Sequence, residues 1–341
     1  MAIDKIKETI IAGLEQTFPA KRGLEALIFG GASETTFDTQ TIQIDVFDGK
    51  RGSAKYTARG AKGQTVGLEG WSTISVTPPL INEKFSLSSQ DLRVRDYGEG
   101  NVNAPMGQKF QNLTNKQLTR LKDRKQRTYN NQIVELITTG KVTIIEYDDK
   151  GKALPARVED FKMPSTHIYT VGTPWNDAGA DIFGDVEAID DLIAKNSGLT
   201  VTGAIVGKTT LQDMINNDKV AKLIDNRRMD FGKFSKEVRD GGITYWGNFL
   251  GKDIFTFTEF DENGDDVIPA SAYLPFSAQA ELDIYFGSVD AMVNGVPTIV
   301  EGKEVFYNKS DDEAVSVEQG SKSAKLYALT QSAGFAHLTT R

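Results

Sequence analysis

From position 103 to 139 the chain meets one proline, Pro105 at the very start, and no other before Gly140. That run constrains the fold more than any other segment, because it reads as a single long helix over 103–139, with Asn103 as N-cap, Pro105 in the first turn and Gly140 as the stop. About 35 residues rising 1.5 Å each give a rod of roughly 50 Å. Its apolar residues are sparse at first, Phe110, Leu113, Leu118 and Leu121, and crowd only after Tyr129, at Ile133, Val134, Leu136 and Ile137. Between Lys116 and Arg127, six bases face the single acid Asp123. This middle is either a solvated face or a contact for phosphate or for an acidic subunit.

The segments before the rod are poorly self-sufficient. Ile3, Ile6, Ile10, Ile11 and Leu14 recur at helical spacing before Pro19, which predicts a short amphipathic arm that is marginal alone in water. Residues 36–47 alternate, with Ile42, Ile44 and Val46 on one side, and predict a half-buried strand. Residues 48–86 have strand-like ends around a glycine-rich middle that holds Lys50, Arg51, Lys55, Arg59 and Lys62, with no acid between Asp48 and Glu69. Such a stretch cannot pack a core of its own. It is a surface loop or a projecting hairpin; arms of about 15 residues would reach roughly 50 Å and would need a partner surface.

Beyond the rod, 141–157 reads as a hairpin turning at Asp149-Lys150-Gly151. Residues 177–196 form an acidic helix with Ile182, Val186, Ile189, Leu192 and Ile193 at helical spacing, ended by Ser197-Gly198. A strand over 199–206, a helix over 208–225 and a strand over 251–260 closed by Glu262-Asn263-Gly264 follow. The tail alternates strands with glycine turns, as at Leu282–Phe286 and 326–329.

Composition excludes several classes of function. A chain of 341 residues exceeds what one core usually organises. Zero cysteines remove disulfides, thiolate nucleophiles and thiolate metal sites, and two histidines cannot build a three-histidine centre. A net charge of −8 argues against a surface that grips nucleic acid throughout. No apolar run approaches the ~18 residues of a membrane span, and the first 14 residues mix charges into their apolar positions, unlike a signal peptide, so a cytoplasmic chain is expected.

Three motifs fall short of chemistry. Gly203-Ala-Ile-Val-Gly207-Lys208-Thr209 is one residue too short for a phosphate loop. An EF-hand frame counted from Glu259 puts Ala270 where the bidentate glutamate belongs. His167 and His337 lack a nucleophile elbow, and His167 reads as structural beside a strand. No catalytic residue, cofactor or metal ligand is expected. An arm, a basic hairpin, a long half-polar helix and an acidic helix–strand–helix unit together have the shape of a subunit that neighbouring copies stabilise.

The order of these pieces carries a resemblance. Its local carriers are Ser197-Gly198-Leu199-Thr200-Val201, Leu223-Ile224-Asp225-Asn226-Arg227-Arg228, Glu262-Asn263-Gly264, Ala278-Gln279-Ala280 and Leu329-Thr330-Gln331-Ser332-Ala333. In that order and spacing the chain resembles the major capsid protein E family of lambda-like tailed bacteriophages over nearly its whole length. The resemblance implies an α+β, HK97-like capsid fold: 1–47 an N-terminal arm and first strand, 48–86 an extended E-loop, 87–176 a peripheral domain with its spine helix at 103–139, 177–276 an axial domain, and 277–341 strands returning to the peripheral domain. It implies a non-enzymatic major capsid protein that self-assembles into hexamers and pentamers, encloses double-stranded DNA without sequence-specific binding, and matures from a procapsid. Decoration protein, scaffold and portal are the implied partners, the virion capsid the location, and the host cytoplasm the place of assembly. Arg51, Lys55, Arg59 and Lys62 of the E-loop, with Arg120, Arg124 and Arg127 of the helix, are the candidate inter-subunit contacts, and no covalent cross-link is expected. The net −8 then suits a container that does not hold its contents. A tail-tube or decoration protein, and a nucleotide enzyme using Gly203–Thr209, are the competing readings.

Overall fold

The computed structural model describes residues 23–47, 62, 71–93, 105–224, 232–260, 264–293, 296–311 and 315–341. The expected rod is present as one helix of 34 residues, Met106–Thr139. With the short preceding helix Gly23–Phe29 as α1, it is α2; Ile182–Ser197 is α3, Lys208–Asn216 α4 and Asp218–Ile224 α5.

The ends of α2 follow from local chemistry. Pro105 occupies the N-cap position, and its carbonyl accepts from the amides of Gln108 (2.9 Å) and Lys109 (3.1 Å). The proline therefore stands one residue outside the helix, not in its first turn; Asn103 lies outside the described residues. Gly140 ends the helix at φ 69°, and a Cβ there would come 2.3 Å from that of Met163. Only glycine fits both demands.

Two other helices differ from expectation for identifiable reasons. The acidic helix starts at Ile182, not 177, because Asp181 accepts the Gly184 amide at 3.2 Å as an N-cap, while Asp177 is used in a turn before it. The helix expected over 208–225 is two, since Asn217 turns extended and its side chain accepts the amides of Lys219 and Val220, capping α5. The alternating stretch 36–47 is likewise divided: Ile42–Phe47 forms one strand, whereas Thr36 ends the strand Ser33–Thr36, which belongs to another sheet. Of 199–206 only Gly203–Val206 is strand, and of 251–260 only Lys252–Phe257. The hairpin after α2 pairs Lys141–Ile144 with Arg157–Asp160 and turns at Gly151, φ 74°.

Two larger sheets organise the described residues. In the first, Ser33–Thr36, Leu282–Phe286, the long strand Ser316–Leu329 and Val305–Asp311 lie in that order, and Leu80–Ser88 also pairs with the long strand. The second orders Ile168–Thr170, His337–Thr339, Ala272–Phe276, Gly203–Val206, Lys252–Phe257, Ile243–Phe249 and Gly232–Val238. Within 277–341, Leu282–Phe286, Val305–Asp311 and Ser316–Leu329 lie in the first sheet. His337–Thr339 lies in the second, with antiparallel Ala272–Phe276 on one side and parallel Ile168–Thr170 on the other.

Two main cores result: the first is shared by both sheets, since Ile205, Phe255 and Leu274 of the second join it, and the other lies on the opposite face of the second sheet. The half of α2 after Tyr129 buries Ile133, Leu136 and Ile137 with Leu326, Tyr327 and α1's Leu24 and Phe29. In the second core, α3 lays Ile182, Val186, Ile189 and Ile193 against Ala204, Val206 and Ile254 of the sheet. That α3 stripe repeats at i, i+4, i+7 and i+11, the spacing that puts side chains on one helix face.

Candidate assembly surfaces

The long strand sets the geometry of the first unit. Gln319, Ser321, Ser323, Lys325 and Tyr327 alternate onto one face of it, all buried. Lys125 and Tyr129 of α2 meet that face: Lys125 Nζ binds Ser321 Oγ and Glu304 (2.7 Å), and the Tyr129 and Tyr327 rings meet edge to face at 6.1 Å. Lys325 Nζ bonds Glu25 of α1 at 2.9 Å and lies over the rings of Tyr327 and Tyr129, 4.5 and 5.0 Å from their centroids. Both members of this pair are about 95% buried. Removing one partner of so buried a pair costs about 3–5 kcal/mol. It fixes α1, the root of the N-terminal segment, where helix and strand cross.

These lysines were not among the candidates from sequence. Lys125 had a signal: it follows Leu118 and Leu121 and precedes Tyr129 at i, i+3, i+7 and i+11, in register with the apolar stripe, so it had to face inward. Lys325 had none beyond its place in an apolar strand. A third buried lysine, Lys252, pairs with Asp190 of α3. Burial raises the Asp190 carboxyl above its ordinary range despite that partner.

Among the candidate contact residues, Arg120, Arg124 and Arg127 share an exposed stripe of α2 at i, i+4 and i+7. Arg124 is engaged within the chain, with a nitrogen 3.0 Å from Glu83 on Leu80–Ser88. Arg120 reaches Gln117 at 3.4 Å. Lys62 is exposed; Arg51, Lys55 and Arg59 lie outside the described residues. The described base of the segment that carries them is a hairpin, Ile42–Phe47 against Trp71–Val76, rooted by buried Ile42, Ile44 and Val76.

The near-miss motifs lack the geometry for chemistry. Gly203–Thr209 is a strand leading into α4, but the Ala270 carbonyl accepts the amides of Thr209 (3.0 Å) and Thr210 (3.1 Å). A Cβ on Gly207 would meet the Pro269 and Ala270 carbonyls at 2.3 Å. The loop from the sheet thus fills the place a phosphate would need. His167 is fully buried, its Nδ1 2.8 Å from the Phe335 carbonyl and its Nε2 2.7 Å from Asn196 Nδ2. Nδ1–H donates and Nε2 accepts, a neutral imidazole whose protonation burial opposes. Burial likewise lowers the pKa of His337. Among the described residues no cluster could hold a metal ion, and no helix is long and apolar enough to cross a membrane.

Comparison with known proteins agrees with this architecture. The family described as phage major capsid protein E matches residues 8–325. A prophage protein of E. coli CFT073, assigned as its capsid protein, superposes with a TM-score of 0.69 at 14% identity, covering 98% of each chain. A phage-related protein from Bordetella bronchiseptica RB50 superposes with a TM-score of 0.50 at 12% identity, covering 98% of this chain and 96% of its own. No curated protein matches by sequence.

Proposed function

The chain belongs to the phage major capsid protein E family and is a capsid shell subunit, and from that premise we propose that it builds hexamers and pentamers tiling an icosahedral shell around double-stranded DNA. The role is structural. In this reading the sheet on the long strand, with α2 as spine, is the peripheral domain, and the sheet under α3 and α4 is the axial domain. The hairpin Ile42–Phe47 and Trp71–Val76 is the root of an E-loop over 48–86, and residues preceding α1 are the N-terminal arm. Assembly takes place in the host cytoplasm, with scaffold, portal and decoration proteins as partners.

One observation carries the reading: α2, a rod of 34 residues, is buried along only part of its length and leaves a stripe of arginines outward. Such a rod is costly for a free-standing chain and useful where copies lie side by side. Negative-stain microscopy of the expressed protein tests this, with closed shells or capsomers expected; dispersed monomers overturn it, and tubes favour a tail protein.

The basic residues have a role in the same scheme. Arg51, Lys55, Arg59 and Lys62 pair with acids on an adjacent copy, and Arg120 and Arg127 extend that contact along α2. Reversing the four loop charges to glutamate is expected to weaken or abolish assembly; normal particle yield at low salt would refute the pairing.

A further inference from the structure

The hairpin after α2 presents an apolar face that the described residues leave uncovered. Alternation along its first strand puts Val142 and Ile144 inward, 2% and 5% exposed, beside Phe161 in the first core. The opposite face carries Ile145, Tyr147 and, from the second strand opposite Thr143, Val158, which are 50%, 66% and 52% exposed. This face is held rigidly. Its inner side is core, Arg157 bonds the Thr77 carbonyl at 2.7 Å, and beyond the ladder the Asp148 amide donates to the Lys152 carbonyl at 3.0 Å.

We propose that this outer face is a contact between copies of the chain within the shell. Two observations select a second copy as the occupant. Residues 141–162 contain five acids and five bases, so the hairpin is neutral in a chain of net charge −8. Copies repel one another over most of their surface, and a neutral, apolar-faced element is where they can meet without that cost. Area is the second. Three side chains offer only a fraction of the ~800 Å² per partner that a free-standing complex needs. The face is therefore too small to hold a separate soluble partner by itself and suits one contact among the many that a closed assembly adds up. The proposal rests on the shell reading and names one surface that it uses.

The absence of cysteine supplies the test. Val158→Cys places the only thiol of the chain on this face, and particles made from this chain alone contain no other protein to cover it. Maleimide labelling of the variant is compared between dissociated subunits and purified particles, with thermal unfolding of the subunit as the check on folding. Labelling at least about tenfold slower in particles is expected. Equal rates in well-formed particles overturn this inference and leave the shell reading intact. Unvaried protein that never assembles overturns both. Tyr147→Asp is a second probe: a subunit that unfolds at the unvaried temperature but forms particles in sharply reduced yield is expected, and full yield counts against the contact.

Discussion

His167 shows how a residue that invites a chemical role is spent on structure. Both ring nitrogens are engaged, by Phe335 and Asn196, and burial keeps the ring neutral. The cost appears in the pH dependence of stability. Both histidines have pKa values below the ordinary 6.5 in the folded chain. The unfolded chain therefore binds protons near pH 6.5 that the folded chain refuses, so stability is present above that pH and is lost as pH falls through it. Thermal unfolding should shift to lower temperature between about pH 7 and 5.5, and His167→Gln should roughly halve the slope, because one of two such groups is removed. A melting temperature flat across that window would refute the assignment. Asp190 acts in the opposite sense: burial raises its carboxyl, so the folded chain holds that proton longer and gains stability relative to the unfolded chain as pH falls. The histidine test accordingly stops above the range where carboxylates titrate.

At the scale of elements, what could be read from the sequence was what is local. The rod α2 shows itself because a long proline-free run ends at a glycine that must adopt positive φ, and α3 because its apolar residues repeat at helical spacing. The first half of the long strand was not legible: 316–323 reads Ser-Val-Glu-Gln-Gly-Ser-Lys-Ser, with no apolar alternation. It is a strand because Leu80–Ser88 and Val305–Asp311 both supply backbone partners, information held far away in the chain. The same fact divides α2. Its C-terminal half lies on an apolar core, whereas toward its N-terminal half the strand offers buried Gln319, Ser321 and Ser323, and Thr114 is fully buried with its hydroxyl lacking a hydrogen-bond partner in the described structure. The apolar contacts there reduce to Leu118 and Leu121 with Phe85 and Phe110. Amide hydrogens of 106–121 in the isolated subunit should exchange about tenfold faster or more than those of 129–139, since opening the first half exposes less apolar surface. Uniform protection along the helix would contradict this division.

For the whole molecule the decisive quantity is the net charge of −8, which must be overcome whenever copies close into a shell. Two electrostatic effects oppose each other. General repulsion between acidic subunits acts over a Debye length of about 30 Å at 0.01 M salt and is cut to about 10 Å at 0.1 M. The proposed pairs between the loop and helix bases of one copy and acids of the next would act at contact distance and weaken only when salt is raised well beyond that. Apolar contacts such as the Tyr147 face are not screened by simple salts in this range. The yield of particles from purified subunits should therefore rise between about 0.01 and 0.1 M sodium chloride and decline toward 1 M. The charge-reversed loop variant, having lost the pairs and gained acids, should show the rise, steepened, with no decline. A yield that falls from the lowest salt upward would mean that pairing outweighs the net charge. A yield that climbs without turning over would mean that burial at faces such as this hairpin, and not the basic residues, closes the shell.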